Sequence, residues 1–426
     1  MSSVRIGDVV RFQRGVSWSA DQEHRHPGAG RVPVLRIPNI QENLTTSDLV
    51  YLSGIPDSVR ERTAASKGWI LAVGSNGNPD RIGNAIIIED ESDFLFASFL
   101  VGIKCDQRRV LGRYLLRLLN SDDIRSYLRV TMRGSTGLQN INLPALSDFR
   151  IKLPPLPAQQ RIVEILDALD AQISLAERTV EKLKLVREGL VKDLLSCGVN
   201  GDGRLRDPHK ESSEFRDTVL GLIPRGWRIA TCGALSREIV VGIVIRPTQY
   251  YRSSGVPVLR SANVRASGLD VSDVVYMSLA DHAAMGKSAV KPGDLVTVRT
   301  GYPGTTAVIP QSLPSANCVD IIITRPGSEV CPDYLSLWVN SDLGKGQVLR
   351  AQGGLAQQHF NVSEMKSLLV AVPPLAEQAV IASRAAAADR RLADEVRELM
   401  KLTTLRKGLI ADLLTGRVHV PVEAAS

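Results

Sequence analysis

Apolar positions along this chain follow two rhythms, and each predicts a different kind of element. Short β-branched runs bounded by Gly, Pro and Asn dominate two stretches of about 150 residues. "NAIII" at 84–88 and "DLVTV" at 294–298 read as strands, and longer patterns near 110–130 and 332–350 read as helical. Two further stretches keep a stricter beat. Stepping from Ile162 by alternate fours and threes gives Ile162, Leu166, Leu169, Ile173, Ala176, Val180, Leu183, Arg187, Leu190 and Leu194, all but one of them apolar. Adding 219 gives Ile381, Ala385, Ala388, Leu392, Glu395, Leu399, Leu402, Arg406, Leu409 and Leu413. A mean period of 3.5 is that of a coiled-coil seam, and about 38 residues of such helix would run roughly 57 Å. The "PPL" before each stretch ends the preceding strand, because proline lacks a ladder donor, and lets a helix start after it.

The polar exceptions in the seams predict how the helices pair. A parallel, in-register pair would set Arg187 against Arg406, two like charges in a partly desolvated layer. An antiparallel pair sets Arg187 against Ala388, Arg406 against Leu169 and Glu395 against Val180, where long polar side chains can snorkel past smaller neighbours. The other arrangement open to the helices is to pack on their own domains.

Self-comparison shows a direct internal repeat. "VPVLRIPNI" at 32–40 recurs as "VPVLRSANV" at 256–264, and "VYLS" at 50–53 recurs as "VYMS" at 275–278. "LLNSD" at 118–122 matches "WVNSD" at 338–342, and "QNIN" at 139–142 matches "QHFN" at 358–361. "LPPLPAQ" from 153 matches "VPPLAEQ" from 372, and "REGLVKDLL" at 187–195 matches "RKGLIADLL" at 406–414. The spacing starts at 224 and drifts down to 219. The repeat predicts an α+β architecture of two mixed domains, residues 1–152 and 215–371, each followed by a long helix, 153–197 and 372–420. Residues 198–214, rich in Gly, Asp and Ser, read as an exposed connector.

Composition narrows the class. At 426 residues with 44% hydrophobic content the chain can hold two or three cores, and its 23% charged residues fit neither a disordered nor a fibrous protein. It contains no run of 18 apolar residues and no apolar leader after its first methionine, so export and membrane spanning are not expected and a cytoplasmic location is. Five scattered cysteines, never spaced as CxxC, suit a reduced compartment and predict no metal site. The formal charge is +7, and 39 of the 52 cations are Arg, whose planar fork can grip phosphate or guanine. Codon composition explains the same excess, so charge alone decides nothing.

The alternation of a variable domain with a "PPL…Q"-headed long helix, twice over, with "GDLVTVRTG" at 293–301 and the "GLVKDLL" and "GLIADLL" tails, resembles the specificity subunit of type I restriction-modification systems. The resemblance spans nearly the whole chain, with the helical blocks its specific part. It implies that each domain is a target recognition domain reading one half of a bipartite, asymmetric site in double-stranded DNA through the major groove, with the paired helices as a ruler. It also implies partners: two methyltransferase subunits that methylate adenine N6 with S-adenosylmethionine held by the partner, and motor-nuclease subunits that complete an ATP-driven endonuclease. On this reading the chain is a non-catalytic subunit without a cofactor of its own.

The motifs agree with that division of labour. No G-x-x-x-x-G-K-[ST] phosphate loop and no adenine-methylase tetrapeptide occur, and "GNPD" at 77–80 reads as a turn. DNA contact is expected from loops that combine Gly with Arg, Asn, Gln, Ser and Thr, which reach phosphates and base edges. In the first domain these are Ser75, Asn76, Asn78 and Arg81, with Arg133, Ser135, Thr136, Gln139 and Asn140. In the second they are Arg299, Thr300, Tyr302, Thr305 and Thr306, with Arg350, Gln352, Gln357, Gln358 and His359. Each is also an ordinary turn residue. Arg36 and Arg260, at matching places, are expected to make a shared structural ion pair. Two alternatives stay open: a stand-alone metal-dependent nuclease built on Asp333, Glu364 and Lys366, and a coiled-coil scaffold that binds protein. Against the nuclease, Asn361 and Glu364 have the spacing of a helix capping box.

Overall fold

The computed structural model describes residues 2–41, 43–135, 137–351 and 359–421. The chain forms two compact units: one runs up to Ala176 and resumes at Glu398, and the other holds Glu177–Arg397. The long helices Leu156–Ser196 and Leu375–Thr415 each contribute to both.

In the first unit, strands Val10–Arg14, Leu100–Cys105, Ile70–Val73 and Ala85–Ile87 form an antiparallel sheet in that order. A second sheet has the order Glu23–His24, Val50–Leu52, Val32–Leu35, Leu95–Phe96, its last pairing parallel. Strand Ser2–Arg5 pairs with Arg150–Leu153, the strand that leads through Pro154 and Pro155 into the first long helix. The core joins Ile6, Ile70, Ile103, Tyr114 and Leu118 to Ile162 and Leu166 of that helix and to Leu413 and Leu414 of the second.

The second unit has corresponding parts. Strands Ser236–Val241, Ile321–Pro326, Leu295–Val298 and Thr306–Val308 form one sheet. Val275–Met277, Val256–Leu259, Ala316–Cys318 and Ala289–Val290 form another, again with one parallel pairing. Strand Arg228–Thr231 pairs with Leu369–Val372, the lead-in to the second long helix. Its core joins Trp227, Tyr334, Trp338 and Val370 to Ile381 and Ala385 of that helix and to Val191, Leu194 and Leu195 of the first.

The helical patterns near 110–130 and 332–350 each resolve into two helices, Gly112–Leu119 with Asp122–Thr131 and Pro332–Asn340 with Asp342–Ala351. The break falls within the repeated "NSD", at Asn120–Ser121 and at Ser341, where Ser121 and Ser341 bond back through Oγ to the carbonyls of Leu118 and Trp338. Serine competes with the helix for backbone partners, and Ser341 Oγ also accepts Gly344 N at 3.3 Å in the first turn of the next helix.

The "PPL…Q" heads have a physical reason too. Gln159 is fully buried; its Oε1 accepts from Leu111 N at 2.8 Å while Nε2 donates to the carbonyls of Arg109 (2.8 Å) and Pro154 (2.9 Å). Gln378 accepts from Cys331 N at 2.8 Å and donates to the carbonyls of Glu329 (3.1 Å) and Pro373 (2.8 Å). Each glutamine thus satisfies backbone groups that burial would orphan.

Every one of the twenty seam positions is buried or half-buried. In the second unit Arg187 Nε donates to Asp389 Oδ1 at 2.8 Å; in the first, Arg406 Nε donates to Asp170 Oδ1 at 2.5 Å. Asp170 also receives Arg117, which bonds Asp167 as well. Burial works against the Arg117 charge, but the bonds to these carboxylates outweigh it and hold the guanidinium above its ordinary pKa. The stretch 198–214 is anchored: Arg206 Nη1 donates to Glu377 Oε1 at 2.6 Å, and the same oxygen accepts Val199 N at 2.9 Å. Gly198, at φ +65°, sits where a Cβ would fall 2.3 Å from that carboxylate oxygen, so a larger residue has no room.

Candidate nucleic-acid interface

In the first unit the two candidate loops meet. Strand Ser75–Asn76 pairs with Leu138–Asn140, which pairs in turn with Arg133–Ser135. In this three-stranded ribbon Arg133 lies opposite Asn140, Gln139 opposite Asn76, and Asn140 opposite Ser75, whose hydroxyl donates to Asn140 Oδ1. Gly134 allows the hairpin to close, since a Cβ there would lie 2.2 Å from the Leu138 carbonyl oxygen. Arg133 is exposed and, among the described residues, pairs with no carboxylate. Gln139 and Asn76 are half-buried on the ribbon's other face.

Other candidates in this unit are engaged within the fold. Asn76 Oδ1 accepts Asn78 N at 2.7 Å, and Asn78 Oδ1 accepts Asp80 N at 3.0 Å, so both amides shape their own turn. Arg81 Nη2 donates to the carbonyls of Ile40 (2.9 Å) and Ile37 (3.3 Å). Ser135 supplies backbone to the ribbon, and Thr136 lies outside the described residues.

In the second unit, residues 299–305 turn between strands Leu295–Val298 and Thr306–Val308. Arg299 Nη1 donates to Asp320 Oδ1 at 2.5 Å, and the Arg299 carbonyl accepts Phe360 N at 3.0 Å, which brings the exposed His359 alongside. Tyr302 is 84% exposed. Thr300 and Thr305 are half-buried. Thr306 is fully buried, its hydroxyl 2.8 Å from that of Thr297, and presents nothing to solvent. Arg350 is exposed near the end of a helix whose Val348 packs on Gly304, and it has no carboxylate partner among the described residues. Gln352, Gln357 and Gln358 lie outside the described residues.

Arg36 and Arg260 do pair structurally. Arg36 Nη2 meets Asp48 Oδ2 at 3.2 Å and Arg260 Nη2 meets Asp273 Oδ2 at 3.5 Å. The buried amides of Asn39 and Asn263 accept the N–H of Arg36 (2.7 Å) and Arg260 (2.9 Å) and donate to the Asp48 and Asp273 carbonyls. Sequence reasoning missed these asparagines, although "PN" and "AN" stand inside the repeated block. It also missed Val244, Ile245 and Arg246, all exposed at the end of strand Ser236–Val241.

The nuclease alternative gains no support. Glu364 Oε2 accepts Asn361 N at 2.6 Å, the reciprocal arm of a capping box, and among the described residues no three His, Cys, Asp or Glu gather to hold a metal. Nor does any finding favour the scaffold alternative.

Residues 1–185 match the family described as type I restriction modification DNA specificity domain. The type I specificity relatives extend over the rest of its length. The type I restriction enzyme MjaVIII specificity subunit of Methanocaldococcus jannaschii is 22% identical over 432 aligned positions, covering 98% of this chain and 92% of that protein. The EcoKI specificity subunit of Escherichia coli K12 is 22% identical, covering 89% and 80%. In fold, the chain is similar to the S subunit of a type I restriction-modification system from M. genitalium, with a TM-score of 0.56 at 13% identity over 97% of this chain and 96% of that one. Among the described residues no helix is long and apolar enough to cross a membrane.

Proposed function

We propose that this chain is the DNA-reading, non-catalytic subunit of a cytoplasmic type I restriction-modification complex. Residues 1–152 and 215–371 are its two target recognition domains, each reading one half of a bipartite site in double-stranded DNA. The helices at 153–197 and 372–420 pair antiparallel as the spacer between them, with 198–214 as the connector. Two methyltransferase subunits supply adenine-N6 methylation, and motor-nuclease subunits supply ATP-dependent cleavage. The observation that carries this reading is the first unit's ribbon, where two stretches more than fifty residues apart pair so that Arg133, Asn140 and Ser75 share one face and Gln139 and Asn76 the other.

The pairing of the helices rests on Arg187 with Asp389 and Arg406 with Asp170. Each contact sits one residue beyond the seam partner expected from sequence, and each is the 219-residue shift of the other. In this reading Arg133 and Arg350 neutralise phosphates or grip guanine, and Gln139 reads a base edge.

A methylation-protection footprint of the chain with its methyltransferase subunits tests the assignment. Two protected patches separated by an unprotected spacer are expected, weakening steeply with salt. A single continuous patch, or none, contradicts it.

A further inference from the structure

The second unit carries an exposed apolar surface beside its candidate loops. Val244 is 50% exposed, Ile245 80% and Tyr302 84%. All three stand at one end of the sheet formed by Ser236–Val241, Ile321–Pro326, Leu295–Val298 and Thr306–Val308. Ile243 fixes the first loop there, its N–H donating to the Cys318 carbonyl at 2.8 Å while its own carbonyl accepts Asp320 N at 3.1 Å. The turn bearing Tyr302 closes at the same end, where Val298 lies opposite Ile321. Among the described residues only Arg246 (φ +44°) and Asp320 (φ +50°) hold a left-handed backbone without being glycine, and both belong to this sheet end. Such strain persists only where the surroundings enforce it, and it concentrates at binding surfaces.

The free charge beside them is cationic. Arg246 is exposed without a carboxylate partner among the described residues, while Asp320 is already neutralised by Arg299. Apolar tips beside one unpaired arginine suit a surface that is anionic at its rim and offers apolar points within. A DNA major groove is of that kind: phosphates flank a floor whose apolar feature is the thymine C5-methyl. The strands carrying Ile245 and Tyr302 are two strand spacings apart, about 10 Å, a span of roughly three base steps at 3.4 Å each.

We infer that Ile245, with Tyr302 about three base steps away, contacts the major-groove floor in the half-site read by the second unit, and that Ile245 recognises a thymine by its C5-methyl. This deepens the reading of the chain as a DNA-recognition subunit and rests on it. The test starts from the modified sequence found by sequencing the methylated genome; absence of any bipartite mark overturns the parent reading rather than this one. In duplexes bearing that sequence each thymine is replaced in turn by uracil, which removes only the methyl. Binding is then measured for the methyltransferase assembly containing the wild-type chain, Ile245→Ala or Ile245→Val. In one half-site, one replacement is expected to weaken wild-type binding about fourfold, the effect of one buried methyl. Ile245→Ala is expected to bind the parent duplex more weakly and to ignore that replacement, while Ile245→Val keeps the response. The inference is overturned if Ile245→Ala responds to every replacement as wild type does, or if no thymine methyl in either half-site matters. It is equally overturned if Ile245→Ala leaves DNA affinity intact but fails to join the methyltransferase subunits, which would mean that a protein covers the patch.

Discussion

Arg187, the one seam position of its helix that is not aliphatic, grips Asp389 through two donors, Nε at 2.8 Å and Nη2 at 3.4 Å. Moved by 219 residues, the same pair reappears as Arg406 with Asp170. Polar residues in a seam cost burial energy but fix register, because a shifted helix would leave the charge unpaired. Exchanging the charges, Arg187→Asp with Asp389→Arg, is expected to restore most of the stability that either single change removes. With the pair 30% and 42% exposed, a coupling of about 0.5–1 kcal/mol is expected from a double-mutant cycle in urea. A coupling near zero would mean that the pair holds no register.

Gln159→Ala and Gln378→Ala are expected to be far more damaging. Each removes a side chain whose loss leaves one buried N–H and two carbonyls without partners, at about 1–3 kcal/mol for each such group. Amide exchange reads this locally. The N–H of Leu111 should lose protection in the first variant and that of Cys331 in the second, and unchanged protection would contradict the assigned role.

Much of this architecture is legible in the sequence because its signals are periodic. The 3.5-residue beat marks the long helices, and β-branched runs mark strands such as Ala85–Ile87 and Leu295–Val298. Asp170 and Asp389 were not legible as partners, because a seam template counts apolar positions and both aspartates stand just outside it. The ribbon was half legible: its polar loops announce themselves by composition, but the pairing of Ser75 with Asn140 is long-range and follows from the sheet that carries both. Thr306 shows the opposite failure. Its sequence context, "GTT", is that of a surface turn, yet strand pairing points its hydroxyl at Thr297 inside the sheet.

The ribbon residues should separate by role. Gln139→Ala is expected to relax base preference at one position, costing about 1–3 kcal/mol on the preferred site with the salt slope of binding unchanged. Arg133→Ala distinguishes two contacts: a lower slope by about one marks a phosphate, whereas an unchanged slope with lost preference marks a base. Salt titrations on cognate and scrambled duplexes measure both, and no change in either variant would remove the ribbon from the interface.

Burial pushes the Cys232 thiol up to about 11 and the Cys105 thiol up to about 12, and raises that of Cys318 as well. Almost none of these groups is thiolate at pH 8, so alkylation there should be slow in the native chain and fast in denaturant. Mass spectrometry of iodoacetamide-treated protein checks this. Rapid native labelling at Cys232 would contradict the packing around it.

The central claim is that two recognition domains in one chain read two separate half-sites. Single-molecule sequencing of modified adenines, in cells lacking the gene and in cells carrying either the wild-type chain or a Gln139→Ala, Arg133→Ala double variant, tests it most directly. The account predicts a bipartite mark that vanishes with the gene and becomes degenerate in one half only in the variant. An unchanged methylome on deletion, or a variant that alters both halves together, would contradict it.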